Sequence, residues 1–166
     1  YINYLLTPAT VALAIPLYEQ LQILKKNAIA IFTGIIAGTV AGLASVLGLS
    51  VLFGLTHEQY VTLLPKSITT AIGMGISEEL GGIVTISVAV IVLTGIFGNI
   101  MAEYILKWFH ITDSVAKGIA IGTSSHAMGT AKAIEMGEVE GAMSGLSIAV
   151  AGMITVIGAN IFSIFY

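Results

Sequence analysis

Gly122-Thr-Ser-Ser-His-Ala-Met-Gly-Thr130 interrupts an otherwise apolar run near the C-terminus. It places two glycines, four hydroxyls and a histidine where a membrane-spanning helix would carry leucines. Polar side chains at that depth are costly and mark functional positions. An earlier stretch, Leu6-Thr-Pro-Ala-Thr-Val-Ala-Leu-Ala-Ile-Pro16, breaks its own apolar run with two prolines. Each proline removes a backbone donor and disfavours helix at the residue before it. In lipid such breaks are tolerated where they line a protein cavity.

The composition sets the class. Of the 166 residues 57% are hydrophobic and only 9% charged, and the mean hydropathy is +1.01. A soluble domain carries about a quarter charged residues. The chain therefore reads as an all-α integral membrane protein, a polytopic helical bundle with two broken helices. A net charge of −3 without a basic stripe excludes nucleic acid as a partner. There is no cysteine, hence no disulfide framework or thiolate chemistry. The three histidines lack zinc-ligand spacing, so no metal is expected. Ser125 and His126 are adjacent, so their side chains diverge, and no carboxylate is placed to complete a triad. No phosphate loop is present. No catalytic group and no cofactor are expected, and the chain reads as a non-enzyme.

Residues 1 to about 24 form the first broken element, which Glu19, Gln20, Lys25, Lys26 and Asn27 bring to a water interface. Residues 28–55 form an uncharged span, long enough at ~20 residues for a bilayer. Gly34, Gly38 and Gly42 give it a small-residue face for close helix packing. Thr56–Tyr60 reads as a polar turn with a solvated His57. Residues 61–80 are too polar for a lipid-facing span and too apolar for a loop, which predicts a re-entrant segment. Residues 81–102 form a second span, with Asn99 at an interface. Residues 113–137 are the second broken element, and residues 139–166 the last span.

Gly42-Leu-Ala-Ser-Val-Leu-Gly48 matches Gly152-Met-Ile-Thr-Val-Ile-Gly158 in glycines, hydroxyl and valine. Placing Lys25, Lys26, Lys107 and Lys117 inside, as the positive-inside rule asks, turns residues 61–80 back and carries 113–137 outward. The two halves, about 1–55 and 61–166 of a single transmembrane domain, then have opposite orientation. That is the inverted-repeat plan of secondary transporters.

A helix beginning in mid-membrane aims unpaired N–H groups and a positive dipole end at what lies there, and anions suit it. The second break offers Thr123, Ser124, Ser125, His126 and Thr130, with Gly122 and Gly129 allowing close approach. The first offers Thr7, Pro8 and Thr10, and the re-entrant segment Lys66 and Ser67, with Lys66 equally readable as a side chain that snorkels to the interface. Converging, they make a pocket for a small carboxylate. The competing reading of His126 is a neutral core histidine bonded to a carbonyl.

Thr7-Pro-Ala-Thr-Val-Ala-Leu-Ala-Ile-Pro-Leu-Tyr18, Leu64-Pro-Lys-Ser-Ile-Thr-Thr70 and Gly118-Ile-Ala-Ile-Gly-Thr-Ser-Ser-His-Ala-Met-Gly-Thr-Ala131 together resemble the LrgB/CidB family over essentially the whole chain. The resemblance implies a multi-pass protein of the bacterial inner membrane and a chain that is the C-terminal portion of a longer protein. It implies a small LrgA/CidA-type membrane partner, an assembly of several copies, and antiholin-like effects on murein hydrolases and lysis. It also implies transport of a monocarboxylate of the pyruvate or glycolate kind. It supplies no set of binding residues.

Overall fold

The computed structural model describes residues 18–166. The first broken stretch, with Thr7, Pro8, Thr10 and Pro16, lies outside the described residues. The architecture is all helical: α1 (Leu21–Phe53), α2 (His57–Leu63), α3 (Thr70–Glu79), α4 (Val84–Trp108), α5 (Ser114–Met136) and α6 (Glu138–Phe162), with a closing 3-10 turn, Ser163–Phe165.

Three elements are long and apolar enough to cross a membrane: Leu21–Phe53, Val84–Trp108 and Glu138–Phe165. Their outward faces carry Ile29, Val51, Leu93, Phe97 and Ile157, all well exposed. A continuous apolar exterior of that kind is lipid-facing. The buried stripe of α1 runs Ile31, Ile35, Thr39, Leu43, Val46 and Ser50 at helical spacing. Asn27, with φ −114° and ψ 17°, is non-helical and divides α1 at 27, where the sequence reading ends its first element and begins the span 28–55. Gly54 in the left-handed region closes it, donating to the Ser50 and Val51 carbonyls.

Thr56–Tyr60 is not a turn. Thr56 caps α2 through a reciprocal pair with Gln59. Residues 61–80 leave the Gly54 end of α1 and come back to it. Ile83 N–H donates to Thr62 Oγ1 at 2.8 Å, and Ser87 Oγ donates to the Thr62 carbonyl at 2.7 Å. At the far point of the excursion Leu64, Ser67 and Ile68 share a cavity with Thr39, Thr123 and Thr155 from the middles of α1, α5 and α6.

The course of α5 corrects the sequence reading. The expectation that 113–137 crosses outward fails because the chain reverses at His126, whose φ and ψ are 43° and −142°. In a straight helix residues 121 and 129 would sit about 12 Å apart along the axis. Here a Cβ on Gly129 would lie 3.0 Å from Ile121 Cγ2. Both arms flank α6: Gly118 and Gly122 lie on Glu140–Ser147, while Ile134 lies on Gly141. Met136 and Lys117 then face the same cavity beside Lys107.

Two consequences follow. Glu138 and Glu140 emerge on the lysine-bearing face, not opposite it. And α6 runs parallel to α1: Ile31 and Ile35 cluster with Met143 and Ala151, Gly158 faces Leu43, and Tyr166 Oη donates to the Leu55 carbonyl. The two glycine-bearing spans are thus not oppositely oriented. Opposite orientation holds instead between 21–80 and 84–136, each a span followed by a segment that enters from that span's far end and returns.

The chain lacks cysteine, so single introduced cysteines report topology directly. Glu138→Cys and Lys117→Cys will react with an impermeant maleimide from the same side as Lys107→Cys. Glu58→Cys and Glu79→Cys will react from the other. Labelling of Glu138→Cys together with Glu79→Cys would mean that α5 crosses.

Candidate functional site

Three side-chain links fasten the returning arm of α5 to α4. His126 Nε2 lies 2.9 Å from the Ile91 carbonyl, and as a ring N–H it donates. Asn99 Nδ2 donates to the Met128 carbonyl at 2.8 Å. Lys132 pairs with Glu103 at 2.8 Å, as well as with Glu135 at 3.1 Å. Asn99 shares one polar pocket with Glu103, Lys107, Lys132 and Glu135. Glycines on α4 make the approach possible: a Cβ on Gly95 would press on the His126 ring, and one on Gly98 would fall on the Ser125 side chain.

The outgoing arm is held by α6 and α1. A Cβ on Gly122 would meet the Ser144 carbonyl, and one on Gly38 would come within 2.9 Å of Thr123 Oγ1. Gly122 thus serves helix packing, as does Gly129 opposite Ser125 within the reversal. Thr130 is buried and bonded to Ser144 Oγ at 2.6 Å, so it holds the second arm to α6.

What remains open sits at the two turning points. Ser124 is exposed, donates to the Ala120 carbonyl at 2.7 Å and lies 3.0 Å from Ser125 Oγ. Lys66 is half-buried at the far point of the first re-entrant segment, with Nζ donating to Ser67 Oγ at 2.9 Å. Lys66, Ser124 and Ser125 line one crevice of about 780 Å³ with Thr94 and Phe97. On the other side of Ser67 is a cavity of about 10 Å³, room for one water, lined also by Thr39, Thr123 and Thr155. Of the expected site residues, Lys66, Ser67, Thr123, Ser124 and Ser125 come together. Thr7, Pro8 and Thr10 lie outside the described residues. His126, Gly129 and Thr130 shape the support. Sequence reading passed over Thr39 and Thr94, each a lone polar residue in an apolar run.

Among the described residues the ion pairs are Lys107–Glu103, Lys132–Glu103 and Lys132–Glu135. None involves Lys66, and residues 1–17 contain no acidic side chain. The described residues offer no cluster that would hold a metal.

The model described as the LrgB-like family matches residues 1–165. The chain is 42% identical over 147 residues to the uncharacterized protein YxaC of Bacillus subtilis, covering 89% of this chain and 64% of that protein. It is 39% identical over 155 residues to the holin-like protein CidB of Staphylococcus epidermidis, covering 93% and 68%. It is 38% identical over 156 residues to the antiholin-like protein LrgB of Bacillus cereus, covering 94% and 68%. The chain thus spans about two thirds of the length of these relatives. No solved structure matches.

The reversal predicts an inverted stability order. In a straight helix Ala at position 126 would exceed Gly by about 1 kcal/mol. At φ 43° and ψ −142° a non-glycine residue carries about 1–3 kcal/mol of strain. His126→Ala and His126→Gly lose the Ile91 bond alike, so His126→Gly will melt above His126→Ala in detergent. The opposite order would indicate a continuous helix.

Proposed function

The chain belongs to the LrgB-like family, and from that premise we propose that it carries a small monocarboxylate across the bacterial cell membrane. The site is the gap between the two re-entrant segments, with Lys66 as the cationic ligand. One observation carries this reading. Lys66 is a half-buried ammonium within the membrane bundle, and no carboxylate among the described residues pairs with it. A charge in that setting costs several kcal/mol unless an opposite charge joins it. A transported anion supplies that charge. Ser67 Oγ accepts from Lys66 Nζ and keeps its own proton to donate to an anion beside it.

On this reading the protein is not an enzyme. The small holin-like partner of the LrgA/CidA type, if engaged, would act on the same membrane unit. The second reading rests on the names of the relatives, holin-like and antiholin-like: a component that controls lysis and murein hydrolases by assembling in the membrane, without a substrate of its own. An assembly of several copies fits either reading.

Uptake of labelled pyruvate and glycolate into proteoliposomes separates the two. Transport predicts saturable flux that Lys66→Met lowers at least about tenfold, as expected for loss of a charged hydrogen-bonding partner. Lys66→Arg, which keeps the charge, will retain more of it. Absence of saturable flux, with and without the small partner, would leave the assembly reading standing.

A further inference from the structure

We infer that the segment Leu5–Pro16 seats in the groove between α1 and the outgoing arm of α5. The groove holds about 390 Å³. Ala30, Gly34 and Gly38 line one side, and Ala116, Ile119 and Thr123 the other. It begins beside Asp113, at the lysine-bearing face, and ends at Thr123. Small residues on a membrane helix let another segment approach closely. On α1 that face continues through the exposed Ala37 and Ala41.

The occupant follows first from the pairing of α1 with α6. Gly42–Gly48 matches Gly152–Gly158, so in the same register positions 30 and 34 match 140 and 144. On α6 that strip carries a re-entrant segment. A Cβ on Gly118 would meet the Glu140 carbonyl, and one on Gly122 the Ser144 carbonyl. On α1 the matching strip is the wall of the groove. The segment that α6 receives is the one preceding it in the chain, and the segment preceding α1 is Leu5–Pro16.

Reach agrees. The backbone is non-helical at Gln20 and at Asn27. Between them Leu21–Lys26 spans ~9 Å at helical rise, the distance between the axes of packed helices. Counted back from Tyr18, Thr10 and Thr7 lie eight and eleven residues away, a rise of ~12 and ~16 Å at helical pitch. The groove wall from Ala30 to Gly38 rises ~12 Å. Leu5–Pro16 carries no charge, as a seat within the apolar layer requires. Its two threonines thus arrive at the Thr123 end. Ala120 lines both the groove and the Lys66 crevice, so the seated segment abuts the anion site. The docking stands on this geometry alone; only the part its threonines play at the site rests on the transport reading.

The chain has no cysteine, so paired cysteines in the full chain, in membranes, test the docking. Gly34→Cys suits one wall, since a Cβ there meets only Ile119 methyls at 3.6 Å. The exposed Ala116→Cys suits the other. Each is combined in turn with Ala9→Cys, Ala12→Cys and Ala14→Cys and oxidised with copper phenanthroline. With each wall at least one combination will close a disulfide within a single chain. Leu49→Cys, on the far half of α1, will pair with none of the three. Ser77→Cys with Ser87→Cys, whose parent oxygens lie 2.7 Å apart, verifies that the oxidant reaches the bundle. Cross-linking there without any at the groove overturns the inference. So do disulfides joining two chains, which would seat a second copy in the groove. Gly34→Leu gives an independent sign. In an empty groove leucine, a better helix former than glycine, would raise the melting temperature in detergent. Against a seated segment it overpacks and will lower that temperature by at least about 3 °C; a rise overturns the inference. A protein that cross-links as expected but shows no Lys66-dependent uptake keeps the docking and loses the transport reading.

Discussion

Backbone polar groups cannot be left unpaired in a hydrocarbon environment, and that constraint governs where this chain can turn. A reversal in mid-membrane breaks the helical ladder and must be supported from outside the helix. At His126 the support comes from α4. Its Ile91 carbonyl receives the imidazole, and its Asn99 amide reaches the Met128 carbonyl. The glycines at 95 and 98 are the steric condition for both bonds. Take away the glycines and the two segments stand too far apart to bond. Keep the glycines without the polar side chains and the reversal has nothing to hold it.

The same helix serves the other re-entrant segment. Near its N-terminal end Ser87 binds the Thr62 carbonyl and Ser77 Oγ, fixing where residues 61–80 leave and return. Ile91 lies at the overlap. Its Cδ1 sits where a Cβ on Gly73 of α3 would fall, while its carbonyl holds His126. The two turning points are therefore set by a common element, and their separation is fixed by the rise of α4 between Ser87 and Asn99. That geometry brings Lys66 to the level of Ser124 and Ser125.

Much of this was legible in residue type. Glycines and hydroxyls inside an apolar run located the second break to within a turn of His126, and lysine placement turned residues 61–80 back. Whether 113–137 kinks or reverses was not legible, because both demand the same small polar residues. The choice is made by tertiary bonds from Ile91 and Asn99, which no local pattern in α5 encodes. One signal did point the right way. With a crossing α5, Lys132 would have left the other lysines; with a reversing one it joins Lys107 on Glu103. His126 shows the limit at the level of a side chain. Its setting marked it as a ligand, yet its bond to a main-chain carbonyl makes it a support for the residues that remain open.

Lys66 is the one lysine whose position this economy of pairing does not explain. Lys107 and Lys132 share Glu103, and Lys25, Lys26 and Lys117 lie toward the ends of their helices, on the face where water and lipid headgroups solvate them. Lys66 has Ser67 and the walls of a crevice. If the chain acted only by assembling with other membrane proteins, an apolar residue would serve better there, since burial of a lone ammonium opposes every packed state. On the proposed reading an anion beside Lys66 would offset that cost, and the same charge would favour an anion over a neutral acid.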